Sequence, residues 1–124
     1  MLTIPSSVRI WLATELVDMR RGFDGLSRIV RDVWSVDPHS GHLFVFVGKR
    51  RDRVKILFWD RGGFCLYYKR LEKGRLQAVE SASTSGRVQM DSTQLTMLLS
   101  GFDLNVARLK PWKPTEGIDT IGQV

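Results

Sequence analysis

The sequence of 124 residues is basic, with 19 Lys and Arg against 13 Asp and Glu and a net charge of +6. This length predicts one domain, and 43% hydrophobic with 26% charged residues is typical of a folded, soluble globule. No apolar run approaches the roughly 20 residues of a membrane-spanning helix, and the N-terminus lacks the pattern of a secretory signal. The single cysteine, Cys65, excludes an internal disulfide, so we expect a protein of the reducing cytoplasm.

The first elements in chain order are a strand and a helix. Apolar residues alternate along Val8–Ala13, which predicts a strand. Apolar residues then recur at three- and four-residue steps, which predicts an amphipathic helix over residues 22–34. Proline and glycine indicate that residues 36–41 form a loop.

Three strand-like runs follow the loop, at Leu43–Val47, Val54–Trp59 and Phe64–Leu71. The gaps between them, GKRRDR and DRGG, are short and rich in turn residues, so the three runs predict a meander of antiparallel strands. The second turn centres on Arg61-Gly62 or on Gly62-Gly63. Both choices place the same side chains on the same face.

These turns sort the side chains of the last two strands onto two faces. One face is mostly apolar and is predicted to face the core, whereas the other is aromatic with cations at its ends. The first face comprises Val54, Ile56, Phe58, Cys65, Tyr67, Lys69 and Leu71. The second face comprises Lys55, Leu57, Trp59, Phe64, Leu66, Tyr68 and Arg70.

The last predicted elements are a short strand at Arg87–Met90 and a helix that follows it directly. Asp91 or Ser92 can cap this helix, and Gln94 stands three residues after Asp91 as in a capping box. The predicted order is strand, helix, three strands, strand and helix.

The predicted fold class is therefore α+β, an antiparallel sheet built around the three-stranded meander with two main helices packed on one face. Residues 1–103 are expected to form this single domain. Residues 104–124 contain two prolines and two glycines without periodicity, so we expect an extended or flexible C-terminal tail.

The charge is concentrated on the meander, since residues 41–75 carry ten Lys and Arg against three Asp and Glu. We predict that these cations bind nucleic-acid phosphates, and two aromatic side chains near them are candidates for stacking on bases. An alternative remains open, in which the cations form a solvated rim and the aromatic residues belong to the core. The predicted nucleic-acid-binding residues are Lys49, Arg50, Arg51, Arg53, Lys55, Lys69, Arg70, Lys73 and Arg75, with Trp59 and Tyr68 for stacking.

No residue pattern predicts catalysis. His39 and His42 lie near only one carboxylate in the sequence, whereas a metal site needs three or four ligands. Cys65 has no histidine near it in the sequence to act as a base. We therefore predict no catalytic residue, no metal and no cofactor.

Three stretches resemble one known family. They are DMRRGFDGL at Asp18–Leu26, the meander at residues 41–75, and STQLTMLLSGFD at Ser92–Asp103. Together they are similar to the second-open-reading-frame protein, TnpB, of bacterial insertion-sequence-66 elements. The strings WDRGGF and YKRLEKGR are the most specific part of the resemblance.

The resemblance implies a non-catalytic accessory protein that is encoded beside a larger transposase and is needed for efficient transposition. Taken with the cationic meander, it leads us to expect the cognate transposase and transposon-end DNA as partners, bound separately or as a transposase–DNA complex. Two alternatives stay open, namely docking on the transposase without direct DNA contact, and a divalent-metal nuclease. Residues that match the family motif include Asp18, Arg20, Gly25, Asp60 and Gly63.

Overall fold

The computed structural model describes residues 4–76 and 85–101, and the predicted tail at residues 104–124 lies outside them. The domain boundary at residue 103 therefore stays a prediction. In chain order the elements are β1 (Ile10–Ala13), α1 (Phe23–Arg28) with a π-helical continuation (Ile29–Val33), β2 (Leu43–Val47), β3 (Arg53–Asp60), β4 (Gly63–Arg70), β5 (Arg87–Met90) and α2 (Ser92–Leu99). The strands form one sheet in the order β4-β3-β2-β1-β5. The α+β class is confirmed.

The antiparallel meander of β2, β3 and β4 is also confirmed. Asp60 pairs with Gly63, so the second turn is centred on Arg61-Gly62 rather than on the two glycines. Both central residues have positive φ, 43° at Arg61 and 88° at Gly62. This is the geometry of the two-residue turns that match the twist of a hairpin.

The sheet is mixed, so the prediction of a wholly antiparallel sheet is wrong at one pair of strands. β1 runs parallel to β2, with Ile10 opposite Leu43, and antiparallel to β5, with Ile10 opposite Met90. The connection from β1 to β2 contains α1, and such a long crossover returns the chain in the same direction.

The two helices lie on opposite faces of the sheet, which corrects the prediction that both pack on one face. Leu95 and Leu98 of α2 share a core cluster with Val45 on one face. Leu26 of α1 and Val30 of its π-helical continuation share a second cluster with Phe44 on the other face. The physical reason lies in β2, whose sequence LFVFV is apolar on both sides, so each side needs a cover.

The two predicted faces of the meander both contribute to the core. Val54 and Ile56 are buried under α2, as expected of the first face. Leu57 of the second face is fully buried in the cluster of α1, and Phe64 and Leu66 pack against that cluster. The assignment of side chains to the two faces is correct, but the core lies on the second face as well as on the predicted first face.

Candidate nucleic-acid interface

Two backbone hydrogen bonds bring two separate groups of cations together at one end of the sheet. The N–H of Leu71 donates to the carbonyl of Asp52 at 2.7 Å, and the N–H of Leu76 donates to the carbonyl of Arg51. Residues 71–76 therefore lie along the turn between β2 and β3. Two clusters that are about twenty residues apart in the sequence share one surface.

We call this surface the basic end. Arg53 and Arg70 stand opposite each other in the ladder of β3 and β4, and the Arg75 guanidinium donates to the carbonyl of Arg50 at 3.3 Å. Most members are exposed, and Arg51 and Arg53 are half-buried. The members of the basic end are Lys49, Arg50, Arg51, Arg53, Arg70, Lys73 and Arg75.

Two carboxylates lie among these cations. Glu72 is 3.6 Å from Arg70 in an exposed pair, and Asp52 is 3.9 Å from the Nε of Arg53. Ion pairs of this length at the surface contribute little stability. The basic end therefore keeps a clear excess of positive charge.

A family-motif turn adjoins the basic end. Val17–Arg20 and Gly48–Arg53 line the two sides of a cleft of about 420 Å³. Arg20 holds Asp18 through a guanidinium contact of 2.7 Å and through its backbone N–H at 2.9 Å. These hydrogen bonds from Arg20, with a smaller effect of the charge on Lys49, hold the pKa of Asp18 well below its usual range. Asp18 is thus ionised near neutral pH, and it orients an exposed arginine beside the basic end.

A glycine allows the turn to approach the hairpin. A Cβ atom at Gly48 would lie 2.5 Å from the Cγ of Met19, which is closer than real contacts come. The N–H of Val17 donates to the carbonyl of Val47 at 2.9 Å and fixes the turn from the other side. The position of Arg20 beside Lys49 therefore depends on a residue without a side chain at position 48.

Lys55 does not join the exposed cations. Its side chain is buried, at 7% exposure, and its ammonium donates to the carbonyls of Met19 at 2.7 Å and Arg21 at 2.9 Å. Lys69 is also turned inward, because its ammonium donates to the carbonyl of Leu99 at the end of α2. The ammonium groups of both predicted phosphate ligands thus bind main-chain carbonyls within the fold, and neither lysine belongs to the basic end.

The two predicted stacking residues lie far apart. Tyr68 is 50% exposed at the basic end, where its hydroxyl accepts a hydrogen bond from Arg53 at 3.3 Å. Tyr68 stands opposite Lys55 in the ladder, and Trp59 is four positions further along β3, about 13 Å away. Its ring packs against His39 and Phe64, with centroids 4.7 and 5.0 Å away. Of the two predicted stacking residues, only Tyr68 lies beside the cations of the basic end.

The remaining family-motif residues have local roles. Asp60 and Gly63 close the turn at the opposite end of the meander. Gly25 lies in α1, where an added Cβ would come within 3.1 Å of the Cβ of Arg21. Among the residues that the structure describes, no three metal-ligating side chains converge. None of the described helices is long and apolar enough to cross a membrane.

The fold and the basic end define a small α+β protein with a group of exposed cations at one end of a meander. The family model described as "IS66 Orf2 like protein" matches residues 8–109. The chain belongs to this family, which places it among the accessory proteins of insertion-sequence-66 transposition.

Two relatives come from Sinorhizobium fredii (strain NBRC 101917 / NGR234). The "Uncharacterized protein y4hO" is 38% identical over 116 residues, which is 94% of this chain and 98% of the relative. The "Uncharacterized protein y4jC" is 36% identical over 110 residues, which is 88% of this chain and 92% of the relative. No solved structure matches the chain.

Proposed function

We propose that this protein is a non-catalytic accessory factor of transposition that binds element DNA through the basic end, alone or in a complex with the transposase. One observation carries the proposal. The backbone hydrogen bonds of Leu71 and Leu76 place residues 71–76 against the turn between β2 and β3. Cations from two parts of the chain thereby form one continuous surface.

The chemistry of this surface fits a polyanion. Lys49, Arg50 and Lys73 are exposed, so each can reach a phosphate without leaving a buried partner behind. Duplex DNA carries one charge per about 1.7 Å of its axis, so several cations on one end find phosphates at once. Each contact releases condensed counterions, and binding therefore weakens as salt rises.

Arg20 and Tyr68 add two further side chains to the surface. Asp18 fixes the guanidinium of Arg20 with two hydrogen bonds to Nε and one to Nη2, which leaves Nη1 for a further acceptor. The ring of Tyr68 is half exposed, and Arg53 holds its hydroxyl. These two side chains offer a directed donor and a flat apolar surface beside the phosphate contacts.

The test is a fluorescence-anisotropy titration of duplex DNA from the element's end, repeated over a series of salt concentrations. The variant combines Lys49→Ala, Arg50→Ala and Lys73→Ala, all exposed at the basic end. The matched control combines Arg28→Ala, Arg31→Ala and Arg61→Asn, three exposed cations elsewhere on the surface. Asparagine is used at position 61 because it tolerates positive φ.

We expect the wild type and the control to bind with similar affinity, and the variant to bind at least about tenfold more weakly at low salt, with a salt slope lower by about 2 to 3. An equal loss of DNA affinity in the variant and the control would show that binding depends on net charge and not on the basic end. Absence of binding at low salt would overturn the proposal. Co-purification with transposase after nuclease treatment would then favour docking without DNA contact.

A further inference from the structure

Strand β4 is an open edge in the part of the chain that the structure describes. It pairs with β3 over eight residues in continuous register, and the order of described strands places nothing on its other side. Natural sheet edges are usually blunted by proline, a bulge or charge. Here the only such feature within the strand is Lys69-Arg70 at its end, and Lys69 is turned toward α2.

The ladder shows which backbone groups point outward. Leu71 donates to the carbonyl of Asp52, so odd-numbered residues of β4 bond toward β3. The alternation of an antiparallel pair then directs the N–H and C=O of even-numbered residues away from the sheet. Four residues carry these outward groups, namely Phe64, Leu66, Tyr68 and Arg70.

We propose that β4 pairs antiparallel with β4 of a second copy of this chain, with a two-fold axis at Tyr67. Only this centre pairs all four outward residues, since Phe64 then stands opposite Arg70 and Leu66 opposite Tyr68 of the other copy. An axis at position 66 leaves Arg70 without a partner in the strand, and an axis at position 68 leaves Phe64 without one. The two sheets join into one continuous sheet.

The side chains favour a second copy because the strand is complementary to itself. Its first six residues are uncharged and include three aromatic residues, whereas its last two residues are cationic. Antiparallel pairing sets Arg70 of each copy beside the ring of Phe64 of the other, a favourable contact of a guanidinium with an aromatic face. It also packs the two Tyr67 rings together, and each Tyr67 is 42% exposed in the single chain. Parallel pairing would instead align the cations.

The test is a disulfide cross-link that distinguishes neighbouring positions of one strand. In a Cys65→Ser background, Tyr67→Cys places two thiols in a non-hydrogen-bonded pair with Cα atoms about 4.5 Å apart, within disulfide range. The matched control is Tyr68→Cys, at a neighbouring exposed position. Its two copies lie about 8 Å apart, because they are offset by two residues, and this is beyond disulfide range. The proteins are purified with nuclease treatment and oxidised gently.

We expect a cross-linked dimer with Tyr67→Cys and none with Tyr68→Cys. Sedimentation of the full chain gives an independent measurement of the oligomeric state. Wild type and Val33→Lys, a change at an exposed apolar residue away from β4, should be dimers, and Tyr67→Lys and Tyr67→Glu should each be monomers. A mixture of the two Tyr67 variants should restore the dimer through opposite charges at the axis. Monomeric wild type, or cross-linking through Tyr68→Cys alone, overturns the proposal.

Discussion

Two lysines of the meander, Lys55 and Lys69, stabilise the fold through hydrogen bonds of their ammonium groups. The ammonium groups donate to main-chain carbonyls of residues far away in the sequence, that of Lys55 to Met19 and Arg21 and that of Lys69 to Leu99. Lys69 shares the predicted core face with Val54 and Ile56, and a lysine on an apolar face needs a partner. The sequence therefore contained a sign that Lys69 is not a free cation. It contained no sign of the partner, since Leu99 is thirty residues away.

Replacing Lys55 by methionine tests the role of its ammonium. Lys55→Met keeps the apolar stem but leaves the carbonyls of Met19 and Arg21 without their donor. We expect the free energy of unfolding to fall by about 2 kcal/mol, measured by urea denaturation. The control Lys73→Met, at an exposed position, should change it by less than about 0.5 kcal/mol. Unchanged stability with a large loss of DNA affinity would contradict this assignment.

His42 gives the protein a dependence of stability on pH. Its Nδ1 accepts a hydrogen bond from the N–H of Arg9 at 2.9 Å, which requires an unprotonated nitrogen. Burial, with a smaller effect of the charge on Arg9, lowers the pKa of His42 below its ordinary 6.5. The unfolded chain therefore takes up this proton at higher pH than the folded chain does. The contribution is fully present above the unfolded pKa and is lost as the pH falls through the folded pKa.

The measurement is the urea midpoint at pH 7.5 and pH 5.5 for the wild type and for His42→Phe. The wild type should lose more stability between the two values than the variant does. The variant itself should be less stable at both, because the N–H of Arg9 loses its acceptor. An identical loss in the two proteins would assign the pH dependence to other groups.

At the scale of elements, local patterns were predictive wherever they were long and regular. The three strands of the meander and the strand at Arg87–Met90 lie within two residues of their predicted bounds. The predicted helix over residues 22–34 is present, but its second half is π-helical, with the N–H of Trp34 donating to the carbonyl of Ile29. Apolar spacing at three and four residues does not distinguish these two windings.

Of the two candidate caps of α2, Asp91 and Ser92, the structure identifies Asp91. Asp91 accepts from the N–H of Gln94 at 2.7 Å, and the side chain of Gln94 accepts from the N–H of Asp91 at 2.8 Å. Asp91→Ala should therefore lower the free energy of unfolding by about 1 kcal/mol, and Ser92→Ala should lower it far less. Thermal unfolding of the two variants decides between them, and the opposite ranking would refute the assignment.

At the scale of the whole molecule, the sheet's order and the sides of its helices depend on contacts that the sequence does not reveal. β1 and β2 are separated by some thirty residues, and nothing in IWLA or LFVFV states that they pair in parallel. Similarly, a strand that is apolar on both sides accepts a helix on either face. The charge of the meander was evident from the sequence, but its concentration at one end follows from how the hairpins close.

Because cations are concentrated at the basic end, we expect DNA binding to depend on where a cation is removed and not only on the net charge. Lys73→Asn and Arg61→Asn each remove one exposed cation, from the basic end and from the opposite turn of the meander. The net charge of the two variants is equal, so a purely long-range attraction would weaken DNA binding equally in both. If Lys73 contacts a phosphate, only Lys73→Asn should lower the slope of log affinity against log salt, by about 0.9. Anisotropy titrations at about five salt concentrations separate these outcomes, and equal slopes in the two variants would show that Lys73 makes no phosphate contact that Arg61 does not.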